Sequence, residues 1–156
     1  MEIILAENHG FCYGVKRAVE MANEAAEGKG KSYTLGPIIH NPQVVGRLES
    51  KGVSPIQEVA DIDEGTMIIR SHGVGPAIYA EAEEKGLHIL DATCPHVKKA
   101  QQDAKSVIED GMTLVILGEK NHPEVKSINL WANNKGIIIE DEESAKKLQI
   151  VEKMGV

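Results

Sequence analysis

Residues 94–122, CPHVKKAQQDAKSVIEDGMTLVILGEKNH, spell out a helix, a stop, a strand and a loop. Pro95 stands where a first helical turn accepts proline, and Gly111 closes the helical run. Thr113–Leu117 is a short apolar strand, and the polar loop after it ends on His122. Displacing this stretch by 82 residues lays it over residues 12–40, CYGVKRAVEMANEAAEGKGKSYTLGPIIH. Cys12 then falls on Cys94, Val15 on Val97, Lys16 on Lys98, Arg17 on Lys99 and Ala18 on Ala100. Leu35-Gly36 falls on Leu117-Gly118, and His40 on His122. Both halves therefore read C-x-x-V-K-(R/K)-A and then L-G-x-x-x-H, with Cys and His 28 residues apart. Two motifs held in register by an equal gap mark an internal repeat.

Outward from the repeat, strand patterns fall at Glu2–Ala6, Ser32–Leu35, Met67–Arg70, Leu87–Leu90, Thr113–Leu117 and Gly136–Ile139. Helical patterns lie between them. Val15, Ala18, Val19, Ala22 and Ala25–Ala26 share one side of a helix over residues 14–28. Asn41 caps a helix with Pro42 at its first position and Gly52 beyond its end. Residues 75–86 and 94–111 repeat that grammar, and residues 141–148 run from an acidic start to Lys146–Lys147. Strands spaced by helices of this length predict an α/β fold of two related βαβ-type units with mainly parallel sheets. The first unit is expected over residues 1–93, with Cys12, His40 and His72. The second spans residues 94–156, with Cys94, His122 and Glu124. A second full repeat would run past Val156, so the chain is expected to be a truncated piece.

The composition excludes several classes. In 156 residues, 17 Lys+Arg stand against 24 Asp+Glu, a net charge of −7 that disfavours nucleic acid and anionic membrane surfaces as partners. Apolar runs such as Ile3–Ala6 and Leu114–Leu117 are too short to cross a bilayer. No basic segment precedes the opening apolar run, so no signal peptide is expected. Two cysteines exclude a disulfide scaffold and a four-cysteine zinc ribbon, and a reducing, cytoplasmic setting is expected.

Each cysteine follows a strand or turn and opens a helix, where unpaired N–H groups and the positive dipole end favour an anion. A thiolate there serves as nucleophile or metal ligand; a small buried hydrophobe is the plainer reading. Gly10 and Gly14 bracket Cys12 and permit close approach to the backbone. His40, His72 and His122 each end a strand and can cluster around a phosphate or diphosphate. His9, His88 and His96 carry no such mark. Glu124, two residues past His122, is the carboxylate placed to supply a proton, whereas Asp91 reads as a turn or cap residue. No Walker loop, G-x-G-x-x-G or H-E-x-x-H occurs.

At GFCYGVKRA, GPIIHN, RSHGV, DATCP and HPEV the sequence resembles the IspH/LytB family of 4-hydroxy-3-methylbut-2-enyl diphosphate reductases. The five motifs follow the family's order and approximate spacing, across a length a little over half of a full member. The resemblance implies three α/β units in pseudo-threefold array around a 4Fe-4S cluster with three cysteine ligands. Cys12 and Cys94 match the first two ligands, and the third is absent from this chain. It also implies that His40, His72 and His122 surround the substrate diphosphate and that Glu124 delivers protons. The implied reaction is a two-electron reductive dehydroxylation, yielding isopentenyl and dimethylallyl diphosphates in the methylerythritol phosphate pathway. Ferredoxin or flavodoxin is the implied electron donor, and the full-length protein is expected as monomer or dimer. His96 departs from the family pattern. The alternative is a non-catalytic folded module that lacks the third cluster ligand.

Overall fold

The hydrogen-bond demands of short β-branched strands, met in parallel and separated by helices, dictate the architecture. A computed structural model describes residues 2–7, 9–28, 30–149 and 152–156. In chain order the elements begin with α1 (Tyr13–Glu27), β1 (Ser32–Leu35), α2 (Pro42–Glu49) and β2 (Val53–Ile56). A 3-10 turn (Val59–Asp61), β3 (Thr66–Ile69), α3 (Pro76–Glu84) and β4 (His88–Asp91) follow. The chain continues with α4 (Pro95–Glu109), β5 (Thr113–Leu117), α5 (Pro123–Trp131), β6 (Ile137–Ile139), α6 (Glu142–Lys146) and β7 (Met154–Gly155). One sheet has the order β2-β1-β3-β4 and the other β6-β5-β7, with every pairing parallel. The fold is thus mixed α/β with parallel sheets, as the sequence predicts.

In the larger sheet the side-chain alternation of β3 feeds two cores. Ile68 packs with Ala18, Ala22 and Leu48 from α1 and α2, while Met67 and Ile69 pack with Val74, Ala82 and Leu87 beside α3. A third core joins Leu114 and Ile116 of β5 to Ala104 of α4 and Val125 of α5. The helix starts follow their local chemistry. Asn41 accepts a hydrogen bond from Val44 N–H at 3.1 Å with Pro42 at the first position, and Asp141 accepts from Ser144 N–H at 2.7 Å.

Four differences from the sequence patterns have physical reasons. Residues 2–6 carry a strand pattern but pair with no strand among the described residues, leaving Ile3, Ile4 and Leu5 74%, 83% and 78% exposed. β2 was hidden by Pro55, which survives because β2 lies at the sheet edge. α5 opens with Pro123 but has His122 as its N-cap in place of Ser, Thr, Asp or Asn, and the positive-φ positions past its end are taken by Asn133 and Asn134 in place of glycine. β7 at the chain end carries no strand pattern because it is only two residues long, and its pairing with β5 defines it.

Ile68→Ala is expected to lower unfolding stability by about 2–5 kcal/mol, because its side chain is fully buried. Ile3→Ala is expected to stay within about 0.5 kcal/mol. Urea unfolding followed by circular dichroism compares the two directly.

Candidate functional site

Ligands of open parallel sheets gather at the carboxyl ends of the strands, above all where the strand order reverses. In the order β2-β1-β3-β4 the reversal lies between β1 and β3. The loop after β1 carries His40, and the loop after β3 carries His72. β5 of the second sheet is followed by the loop that ends on His122. The fold brings these three rings together. Their centroids are 4.6 Å apart for His40–His72, 5.7 Å for His72–His122 and 6.2 Å for His40–His122. One ring nitrogen from each lies within 4.8 Å of the other two.

Arg70 lies near enough to the rings for its charge to act on His72. Burial, reinforced by His40, Arg70 and His122, pushes the His72 ring down to about 4, so it is neutral at physiological pH. Half-buried Arg70 has no ion pair among the described residues. The Nδ1 atom of His72 is buried and also lacks a hydrogen-bond partner there. His122 accepts a hydrogen bond at Nδ1 from Glu124 N–H at 3.3 Å, which places the proton of its neutral ring on Nε2. Glu124 is half-buried in the first turn of α5, and its carboxylate has no hydrogen bond or ion pair among the described residues.

The two cysteines occupy equivalent places. Cys12 is the N-cap of α1 and Cys94 the N-cap of α4, and neither side chain makes a capping hydrogen bond. A Cβ placed on Gly14 would lie 2.5 Å from the Cys94 sulfur, so this thiol packs directly on the first turn of the helix that Cys12 opens. Both cysteines are free thiols. Soft donors left unspent on capping, one at each of two helix N-termini, suit a thiophilic iron–sulfur centre. His9, His88 and His96 stand outside the cluster.

Several supporting residues carry no sequence signal. Ser127 is buried in α5; its hydroxyl hydrogen lies between the carbonyls of His72 at 2.8 Å and Glu124 at 2.9 Å, and it accepts from Gln101 at 3.3 Å. It thereby ties the His72 loop to the helix bearing Glu124. Asp91 is a turn residue, accepting from Thr93 N–H at 2.9 Å, and more besides. Its other oxygen accepts from Tyr79 at 2.9 Å and pairs with Lys98 at 2.6 Å. Burial alone would raise the Asp91 carboxyl, but hydrogen bonds from Lys98, Thr93 and Tyr79 hold it below the usual carboxylate range.

Parallel α/β sheets whose strand-end loops bring together histidines, with paired thiols at two helix starts, define a class of ligand-binding α/β protein. The family model described as LytB protein matches residues 3–156, and the chain belongs to that family. A 4-hydroxy-3-methylbut-2-enyl diphosphate reductase from Geobacter metallireducens is 50% identical over 156 residues, covering 100% of this chain and 55% of the relative. That of Pelobacter propionicus is 51% identical, with 56% of its length covered. A solved structure of (E)-4-hydroxy-3-methyl-but-2-enyl diphosphate reductase superposes with a TM-score of 0.80 at 47% identity, over 93% of this chain and 53% of that one. The E-1-hydroxy-2-methyl-but-2-enyl-4-diphosphate reductase of Plasmodium falciparum gives 0.88 at 32% identity, over 93% and 46%. The chain spans about half the length of the relatives it matches.

An NMR titration of the His72 ring is expected to show a midpoint of about 4 against 6.5 for an unperturbed imidazole. The unfolded chain takes up this proton at the higher pH, so stability rises with pH across that window and is lost as pH falls from about 6.5 towards 4. Arg70→Gln removes a neighbouring cation and is expected to move the midpoint upward.

Proposed function

We propose that this chain forms the cluster- and diphosphate-binding half of an iron–sulfur reductase acting on 4-hydroxy-3-methylbut-2-enyl diphosphate. The observation that carries this reading is the convergence of three imidazoles, from three strand-end loops, beside an arginine that has no ion pair among the described residues. A guanidinium beside imidazole N–H donors suits a multiply charged anion. The relatives, named as reductases of this diphosphate, support the same substrate.

In this reading Cys12 and Cys94 hold a 4Fe-4S cluster, whose third cysteine ligand lies outside this chain. When bound, the cluster supplies two electrons and a Lewis-acidic iron for the allylic hydroxyl. His122 offers its Nε2 proton to a diphosphate oxygen, as the hydrogen bond at Nδ1 dictates. His40 and His72 complete the grip from the other two loops. Glu124 gives a proton to the departing hydroxyl, which leaves as water; a second proton reaches the allyl carbon to give isopentenyl or dimethylallyl diphosphate. Reduced ferredoxin or flavodoxin provides the electrons, and the cytoplasm is the setting. No helix among the described residues is long and apolar enough to cross a membrane. The residue 93/94 boundary between units belongs to the same reading.

A second reading is favoured by the length: covering 55% of a relative, the chain acts as a folded module that needs the remaining portion for catalysis. Anaerobic reconstitution with iron and sulfide, with and without the C-terminal portion of the Geobacter metallireducens relative in trans, separates the two. Iron-loaded protein that consumes the hydroxylated diphosphate with reduced ferredoxin or dithionite supports the reductase. Absence of cluster absorption and turnover in both preparations rejects it. In the active preparation Glu124→Gln is expected to lower kcat by about 10²–10⁴-fold with diphosphate binding kept. His122→Ala is expected to raise KM, and Cys12→Ser or Cys94→Ser to abolish iron retention.

A further inference from the structure

The two thiols come from helices that start 82 residues apart in sequence, and something must fix their separation. Within its own unit the stretch before Cys94 is well held. Cys94 N–H donates to the Ser71 carbonyl at 2.9 Å, and Thr93 N–H to the Asp91 carboxylate at 2.9 Å. Neither bond reaches α1, the helix that Cys12 opens. One side chain does. Arg17 sends one guanidinium nitrogen to the Thr93 carbonyl at 3.2 Å and the other to the Asp91 carbonyl at 3.4 Å. Gly14 lies three residues before Arg17 on the same face of α1, and it leaves the space that the Cys94 sulfur fills.

We propose that Arg17 is a positioning residue: its fork grips the backbone before Cys94 and sets the distance between the Cys12 and Cys94 sulfurs. The contact has two points. Gly14 fixes how closely the sulfur approaches α1, and Arg17 fixes the rotation of the 91–94 loop about that contact. A guanidinium suits the task because its rigid fork meets two carbonyls at once, and donors on a charged group make stronger hydrogen bonds than neutral ones. Arg17 touches neither substrate nor reacting atoms in this account. The assignment rests on the reading of Cys12 and Cys94 as ligands of one centre.

The test uses the reduced, cluster-free chain and dibromobimane, which becomes fluorescent when it bridges two thiols. Wild type is expected to bridge, with the signal abolished in Cys94→Ser. Arg17→Gln is expected to lower the bridging rate about tenfold, the size of losing hydrogen bonds from a charged donor. Arg17→Lys, whose ammonium lacks the fork, is expected to fall between the two. After anaerobic reconstitution Arg17→Gln is expected to lose iron faster and to show a broadened or shifted EPR signal. Thermal melting run alongside separates geometry from stability: a structural role alone would lower the melting temperature and leave bridging unchanged. Wild-type bridging by a folded Arg17→Gln chain overturns the assignment; if that variant does not fold, wild-type bridging by Arg17→Lys does so. Wild type that bridges and retains iron, with an Arg17→Gln variant identical to it, removes Arg17 and leaves the cluster reading standing. Wild type that neither bridges nor retains iron removes both.

Discussion

Parallel strands must return by crossovers, so their carboxyl ends all open on one side, and the rest of this structure depends on that constraint. His40, His72, Cys94 and His122 follow β1, β3, β4 and β5 respectively. Parallel pairing sets the loops after β1, β3 and β4 along one edge of the larger sheet, and the three histidine rings meet where the loop and helix after β5 are packed against it through Ser127 and the His72 carbonyl. The strands themselves are short, with hydrogen bonds such as Gly36 N–H to the Ile56 carbonyl and Gly118 N–H to the Ile139 carbonyl extending the order into the loops. The loops are thereby pinned close to where they leave the sheet, and a cluster of three rings needs little further ordering.

The total charge does not describe how charge is arranged at the strand ends. The chain carries a net charge of −7, which speaks against a polyanionic macromolecule as partner. Arg70 has no carboxylate partner among the described residues, and His72 is held neutral by burial first and then by its proximity to His40, Arg70 and His122. Asp91 is engaged by Lys98, Tyr79 and Thr93. Arg70 and the three imidazoles thus stand together at the strand ends without the whole molecule being basic.

What the sequence discloses is what local chemistry encodes. Asn41-Pro42, Asp141 and Cys94-Pro95 mark helix starts because capping is settled within a few residues, and the repeat marks Cys12, His40, Cys94 and His122 because an equal gap is visible in one dimension. α5 escapes because a histidine caps it and two asparagines end it, and β2 escapes because tolerance of Pro55 depends on which strands flank it. Residues 2–6 carry a strand pattern that becomes a strand only if a neighbour accepts its hydrogen bonds. Arg17 and Ser127 are the extreme case: each acts across 55 residues or more, on a backbone carbonyl that no side-chain motif announces.

Repeated sequence is not repeated use, and the two helix starts show why. Arg17 and its repeat equivalent Lys99 are both long cations one turn into a cysteine-capped helix. Arg17 reaches into the neighbouring loop, whereas Lys99 turns back along α4 to Asp103 at 2.8 Å. Gly14 and its equivalent His96 differ more sharply. The bare α-carbon at position 14 admits the Cys94 sulfur to the surface of α1, whereas the equivalent position on α4 carries the exposed His96. The symmetry inherited by the strands and helices is therefore broken at positions 14 and 17, the two points where α1 meets the loop that leads into Cys94.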